Sequence, residues 1–118
     1  AIIMTASVSA HNGAEFPEYC ASKGGVLAYT KNVALRVAKY GATCNSISAG
    51  GVITELNAHI LENKSLWDQV MAETLIPKWA TVEEMAEWTY FLAVVNKSMT
   101  AQDVLIDNGE IAKANFVW

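Results

Sequence analysis

Residues 17–41 read PEYCASKGGVLAYTKNVALRVAKYG. The stretch predicts one long helix from Pro17 to Gly41. Glu15 and Pro17 suit its entry, because a first helical turn does not need the N–H that proline lacks. Gly41 suits the C′ position, where glycine takes the left-handed conformation that ends a helix. Val26, Leu27, Tyr29, Val33, Ala34, Val37 and Ala38 recur at helical spacing and predict an apolar face. Near the start, Tyr19 and Lys23 stand one turn apart and share a face. A cation beside a phenol favours the phenolate, so the pair can serve proton transfer. The same spacing also suits an exposed tyrosine and a solvated lysine.

On either side of this helix lie short apolar runs. Ala1 to Ala6, AIIMTA, predicts a buried strand, and Ser7 to Phe16 a polar loop with its turn at Asn12-Gly13. Ala42 to Ser48, ATCNSIS, predicts a second strand. Strand, helix and strand with short joins form a βαβ unit, so the strands should be parallel and the crossover right-handed. Beyond the break at Ala49-Gly50-Gly51, Thr54 is placed to cap a short helix from Glu55 to about Leu61. Ser65 with Asp68 predicts a capping box for a helix from Leu66 to about Thr74. Thr81 with Glu84 predicts another, opening a helix from Val82 to Val95 whose apolar face is Met85, Trp88, Phe91, Leu92 and Val95. Asp103 to Ile106 predicts a third strand, followed by a turn at Asp107-Asn108-Gly109. The apolar tail with Ile111, Phe116 and Trp118 is expected to dock on other surface.

Composition narrows the functional classes. Of 118 residues, 53% are apolar and 17% charged, which excludes disorder as the main state. The net charge is −4 with no block of Lys and Arg, so a nucleic-acid or anionic-membrane surface is not expected. No apolar run reaches spanning length, and no basic region precedes Ala1 to Ala6 to suggest a signal peptide. Cys20 and Cys44 match no zinc pattern, and His11 and His59 lie far apart, so no metal site is expected. Two small buried thiols fit a reducing compartment and a cytoplasmic location. His11 follows Ser7 in the chain, but no G-x-S-x-G elbow surrounds that serine, which argues against a hydrolase triad. The tryptophans at 67, 79, 88 and 118 have no basic groove beside them and are expected in core and interface.

In order, these segments resemble the short-chain dehydrogenase/reductase family. Tyr19-Cys20-Ala21-Ser22-Lys23-Gly24-Gly25 is similar to its active-site motif, and IIMTAS, ending at Ser7, to the strand bearing its serine. NSISAGGVIT (45–54), IPKWATVEEMAEWTYFLA (76–93) and VLIDNG (104–109) resemble its stretch after the sixth strand, its penultimate helix and its last strand and turn. The likeness covers roughly Ile2 to Gly109. It implies an α/β fold: the C-terminal part of a doubly wound, Rossmann-like parallel sheet with about three parallel strands and flanking helices. Residues 1–118 would be the C-terminal portion of one such domain. The upstream half would carry the Gly-rich phosphate cradle, since neither Gly24-Gly25 nor Gly50-Gly51 forms a G-x-G-x-x-G after a strand. Two departures stand out: Ala49-Gly50 where the family usually has Pro-Gly, and Asp107-Asn108-Gly109 where it usually has Asp-Gly-Gly.

The resemblance also implies roles. Tyr19 would be the general acid/base of an NAD- or NADP-dependent alcohol–ketone interconversion. Lys23 would promote ionisation of Tyr19 and bond the nicotinamide ribose, and Ser7, preferred over Ser9, would hydrogen-bond the substrate oxygen. Gly50, Val52 and Thr54 would meet the nicotinamide amide, Thr54 doubling as an N-cap. The expected partners are a small alcohol or ketone and either a second copy, as dimer or tetramer, or the missing N-terminal half. The isolated chain is expected to be inactive. A second functional class stays open: an inactive, oligomerising module, since an apolar parallel strand left at an edge is prone to association.

Overall fold

A computed structural model describes residues 1–114. The sheet has three parallel strands in the order β1 (Ile2–Ser7), β2 (Cys44–Ala49), β3 (Asp103–Ile106). Ile2 faces Cys44 and Ser7 faces Ala49, while Ser46 faces Asp103 and Ala49 faces Ile106. The expected parallel three-stranded arrangement is therefore present, and all three strands end on the same edge. The expected docking of Phe116 and Trp118 lies outside the described residues.

A short helix, α1 (Ser9–Asn12), occupies what reads in sequence as a plain loop, and it ends at a left-handed Gly13. The long helix α2 runs Pro17–Val37 and continues as a 3₁₀ turn, Ala38–Tyr40. Gly41, at φ 67°, closes it by donating its N–H to Ala38 O at 2.9 Å. The apolar face behaves differently from its pattern: Ala34 and Thr30 are buried, whereas Tyr29, Leu35 and Ala38 are exposed. The Thr30 hydroxyl satisfies itself by donating to Val26 O at 2.8 Å.

Beyond β2 the chain makes a 3₁₀ turn at Glu55–Asn57, then α3 (Ala58–Leu61), α4 (Lys64–Met71) and α5 (Val82–Tyr90). The capping box at Thr81 and Glu84 is present, with bonds of 3.2 and 2.8 Å. The box expected at Ser65 and Asp68 is not. Asn63 caps α4 by accepting from Leu66 N at 3.1 Å, starting the helix at Lys64 and leaving Asp68 to pair with Lys64 at 2.6 Å. Asparagine is among the strongest caps and wins by coming first. The helix expected to Val95 is α-helical only to Tyr90. Phe91–Val95 form a π turn in which Asn96 N reaches Phe91 O at 2.8 Å. That wider turn shifts the phase of the side chains. Leu92 is fully buried, while Trp88, Phe91 and Val95 stay exposed.

The core centres on β2, which is paired on both sides and buried from Cys44 to Ser48. Three of its side chains are polar, and each has a partner. Asn45 donates to Met99 O at 2.8 Å and accepts from Gln102 N at 3.1 Å. Ser46 donates to Asp103 Oδ1 at 2.5 Å. Ser48 meets His11 Nε2 at 3.2 Å. Satisfied in this way, buried polar groups do not carry the full penalty of desolvation.

Candidate active site

The loops at the C-terminal ends of β1 and β2 border a cleft of about 720 Å³ that also takes in the start of α2 and the segment after β2. Open parallel sheets present their ligand crevices at this edge, because the loops there leave the strands in divergent directions. Ser7, Tyr19, Lys23, Gly50, Val52 and Thr54 all line this one cleft. Sequence positions 47 residues apart thus meet at one place because β1 and β2 are adjacent and in register.

Tyr19 and Lys23 project from the first turns of α2. The Lys23 ammonium stands 5.7 Å from the Tyr19 ring centroid and donates to Thr5 O at 2.9 Å. That carbonyl fixes the amine between α2 and β1 and leaves two of its three N–H groups free of protein bonds among the described residues. Tyr19 is partly exposed, and its hydroxyl has no protein hydrogen bond among the described residues. Ser7, at the end of β1, is buried. Its Oγ accepts from Ser9 N at 3.2 Å and lies 3.2 Å from Ser9 Oγ, to which it donates. Ser9 is thus the orienting partner of Ser7.

The far wall is built by a clasp that has no signal in the sequence. Ala80 N donates to Gly51 O at 3.0 Å, and Ile53 N to Ala80 O at 2.9 Å, pairing Val52 with Ala80 in parallel. Trp79 seals it: a Cβ at Gly51 would stand 2.0 Å from Trp79 Nε1. Trp79 is itself braced edge-on by Trp67 at 5.3 Å. Asn57 donates to Val52 O at 2.8 Å and lies 3.4 Å from Thr54 Oγ1. The Val52 N–H has no partner among the described residues. Thr54 sits at an N-cap position, extended at φ −144°, but its side chain makes no cap bond, so the expected cap is absent. Asn57 takes up that hydroxyl instead.

The other polar groups lead elsewhere. His11 Nε2 lies 2.8 Å from Asp103 Oδ2 as well as 3.2 Å from Ser48 Oγ. One ring nitrogen serves both partners and Ser48 is fully buried, so this is a brace between α1 and the sheet rather than a nucleophilic triad. Cys44 is buried, which pushes its thiol up, and Cys20 is half-buried; both are free. No group of three or more metal-ligating side chains occurs among the described residues.

Comparison with known proteins gives consistent results. The model of the family described as enoyl-(acyl carrier protein) reductase matches residues 1–110. An L-rhamnose 1-dehydrogenase (NADP(+)) of Thermoplasma acidophilum is 28% identical over 110 residues, 92% of this chain and 43% of its own length. A 3-oxoacyl-[acyl-carrier-protein] reductase of Chlamydia pneumoniae is 32% identical over 111 residues, 92% of this chain and 44% of its own length. The structure of a 4-hydroxyisoleucine dehydrogenase complexed with NADH superposes at a TM-score of 0.87 with 28% identity, covering 96% of this chain and 47% of that one. The chain spans less than half the length of each of these relatives.

Proposed function

The chain belongs to the short-chain dehydrogenase/reductase family, and on that premise we propose that it forms the proton-transfer side of an NAD- or NADP-dependent oxidoreductase interconverting an alcohol and a ketone. The observation that carries this reading is the convergence of Tyr19, Lys23 and Ser7 with the 50–54 segment in a single cleft. When bound, the nicotinamide supplies or accepts the hydride. The Tyr19 phenol gives its proton to the carbonyl oxygen in reduction and takes one from the hydroxyl in oxidation. The Lys23 ammonium stabilises the phenolate left behind. Ser7 turns its hydroxyl from Ser9 toward the substrate oxygen, donating to the charge that develops there.

The residues present fit the nicotinamide end of such a cofactor. The unpaired Val52 N–H offers a donor to a carboxamide, Lys23 has spare N–H groups for a ribose, and the Thr54 hydroxyl remains a donor. A Gly-rich phosphate cradle is not among these 118 residues. Residues 1–118 are accordingly the C-terminal portion of a single Rossmann-like domain, and the polypeptide alone neither holds the dinucleotide tightly nor turns over. NAD(P)H production by the purified 118-residue chain with an alcohol would defeat that statement. Tyr19→Phe, in a protein uniting these residues with a dinucleotide-binding half, is expected to lower kcat by about 10²–10⁴-fold with cofactor affinity kept. An unchanged kcat would remove Tyr19 from the chemistry.

A second reading, an inactive oligomerising module, draws on the surface. Trp88, Phe91, Val94 and Val95 form an exposed apolar face at the end of α5, and Tyr29 and Leu35 are exposed on α2. A second copy covering these faces gives a dimer or tetramer, a state compatible with either reading. Sedimentation as a monomer at micromolar concentration would count against it. Among the described residues no helix is long and apolar enough to cross a membrane. With free Cys20 and Cys44, we place the protein in the cytoplasm.

A further inference from the structure

Three carboxylates, Glu15, Glu73 and Glu110, line the same cleft as Tyr19, with Lys23 the one cationic side chain among the lining residues. They reach it from three separate places: the loop before α2, the end of α4 and the turn after β3. No side-chain hydrogen bond or ion pair among the described residues engages any of them. Asp107, close by, differs: its two oxygens accept from Gly109 N at 2.9 Å and Ile111 N at 3.0 Å, so it is spent on its own turn. Glu110 presses against the end of β2, its Oε2 lying 3.0 Å from where a Cβ on Gly50 would stand. Glu15 is held at φ 101°, a strained backbone for a residue with a side chain.

We propose that Glu15, Glu73 and Glu110 make the cleft selective for an uncharged or cationic, hydroxyl-bearing alcohol or ketone, and that Glu110 is the principal determinant of that selection. This specificity rests on reading the cleft as the oxidoreductase site. A substrate carboxylate, sulfonate or phosphate would enter beside three like charges with only Lys23 to offset them, and Lys23 already serves Thr5 O. Glu110 is half-buried whereas Glu15 and Glu73 are exposed, so Glu110 is the least screened of the three and opposes a like charge more strongly than it would in bulk water. Sugar-like hydroxyls, by contrast, donate to carboxylate oxygens and satisfy acceptors that the protein leaves open. The groups interact with one another in this sense: burial, then Asp107, Glu73 and Glu15, push the Glu110 carboxyl up from its usual range.

The test separates the charge of the cleft from its chemistry. Three nitroxide probes of one size, anionic, neutral and cationic, are added to the protein, and paramagnetic relaxation is read at the amides of residues 7–9 and 50–54. Relaxation is expected to rise from anionic to neutral to cationic, spanning about threefold or more, since a cleft lined by three carboxylates against one ammonium holds a net negative potential of order kT or above. Glu73→Gln with Glu110→Gln should narrow the span at the same amides. An anionic probe that relaxes them as strongly as the cationic one overturns the proposal, and the unsubstituted protein alone decides this. In the active enzyme, replacing a terminal CH₂OH of any alcohol it oxidises by carboxylate, as from D-sorbitol to D-gluconate, should lower kcat/KM about tenfold or more. Equal or faster turnover of the acid also overturns it. The reading of the cleft as an oxidoreductase site fails separately, through Tyr19→Phe, which does not alter the nitroxide ratio.

Discussion

The centre of the sheet and the outer faces of α2 and α5 invert the usual distribution of polarity. Inside, β2 buries Asn45, Ser46 and Ser48; outside, Tyr29, Leu35, Trp88, Phe91 and Val95 face solvent. The polar centre is tolerated because a strand paired on both sides holds its neighbours in register, so each side chain meets a fixed partner. The apolar exterior has no such partner among the described residues. A position in the topology, not the polarity of a side chain, decides burial here, and the two regions should answer differently to substitution.

The largest effect is expected at the clasp next to the central strand. Gly51→Ala places a methyl within the Trp79 indole and should destabilise by about 3 kcal/mol, read as a lower urea midpoint. If stability holds, the clasp is loose and Trp79 does not shape the cleft. Asn45→Ala should cost about 1–2 kcal/mol by leaving the Gln102 N–H without its acceptor, while the Met99 carbonyl keeps its bond from Asn96. Less than half of that would mean the polar centre is not what holds β2 and the 99–102 loop together.

An intermediate effect concerns Glu110. Its carboxyl is raised in the folded state, so folded protein holds a proton that the unfolded chain has already lost. Stability should therefore fall as pH rises from the ordinary carboxylate range up through the raised value, and Glu110→Gln should flatten that slope in thermal melts. Glu84 has the opposite sign: Lys78 and then the Thr81 N–H lower it, so its contribution is present above the ordinary carboxylate range and is lost as pH falls through the lowered value. A melting temperature that rises over the Glu110 window in the unsubstituted protein but not in Glu110→Gln would contradict the raised carboxyl.

The smallest effect is expected on the outer face. A Cβ on Gly25, inside α2, meets no atom within 4 Å. Gly25→Ala should stabilise the isolated chain by about 0.5–1 kcal/mol through helix propensity alone. Destabilisation instead, together with weaker self-association, would show that a partner approaches the bare backbone there, and would turn the contrast between centre and surface into evidence for an assembly.

Local signals were legible where neighbours in the chain decide the outcome. The Pro17 start of α2, the Gly41 that closes its 3₁₀ extension, the Thr81–Glu84 cap and the Asp107-Asn108-Gly109 turn, with Asn108 at φ 54°, depend on a few residues each. Ser65 is not the cap because Asn63, two residues earlier, accepts from Leu66 N and starts the helix at Lys64, which puts Ser65 inside the first turn. The π turn at Phe91–Val95 has no turn residue to announce it. Ser7, Tyr19, Lys23, Gly50, Val52 and Thr54, singled out by resemblance, line one cleft. Asn57, which holds Val52 and Thr54, could have been suspected only from its place three residues after a threonine.

By itself the sequence determined the periods, the caps and the order of strand and helix, because those depend on backbone geometry within a turn or two of each residue. Only the tertiary structure decided that Gly51 must admit Trp79, that His11 braces Asp103 across 92 positions, and that Glu15, Glu73 and Glu110 share a cleft with Tyr19. Such contacts arise when parallel strands bring distant segments to one edge. Their chemistry depends on separation in space, which a linear spacing does not encode.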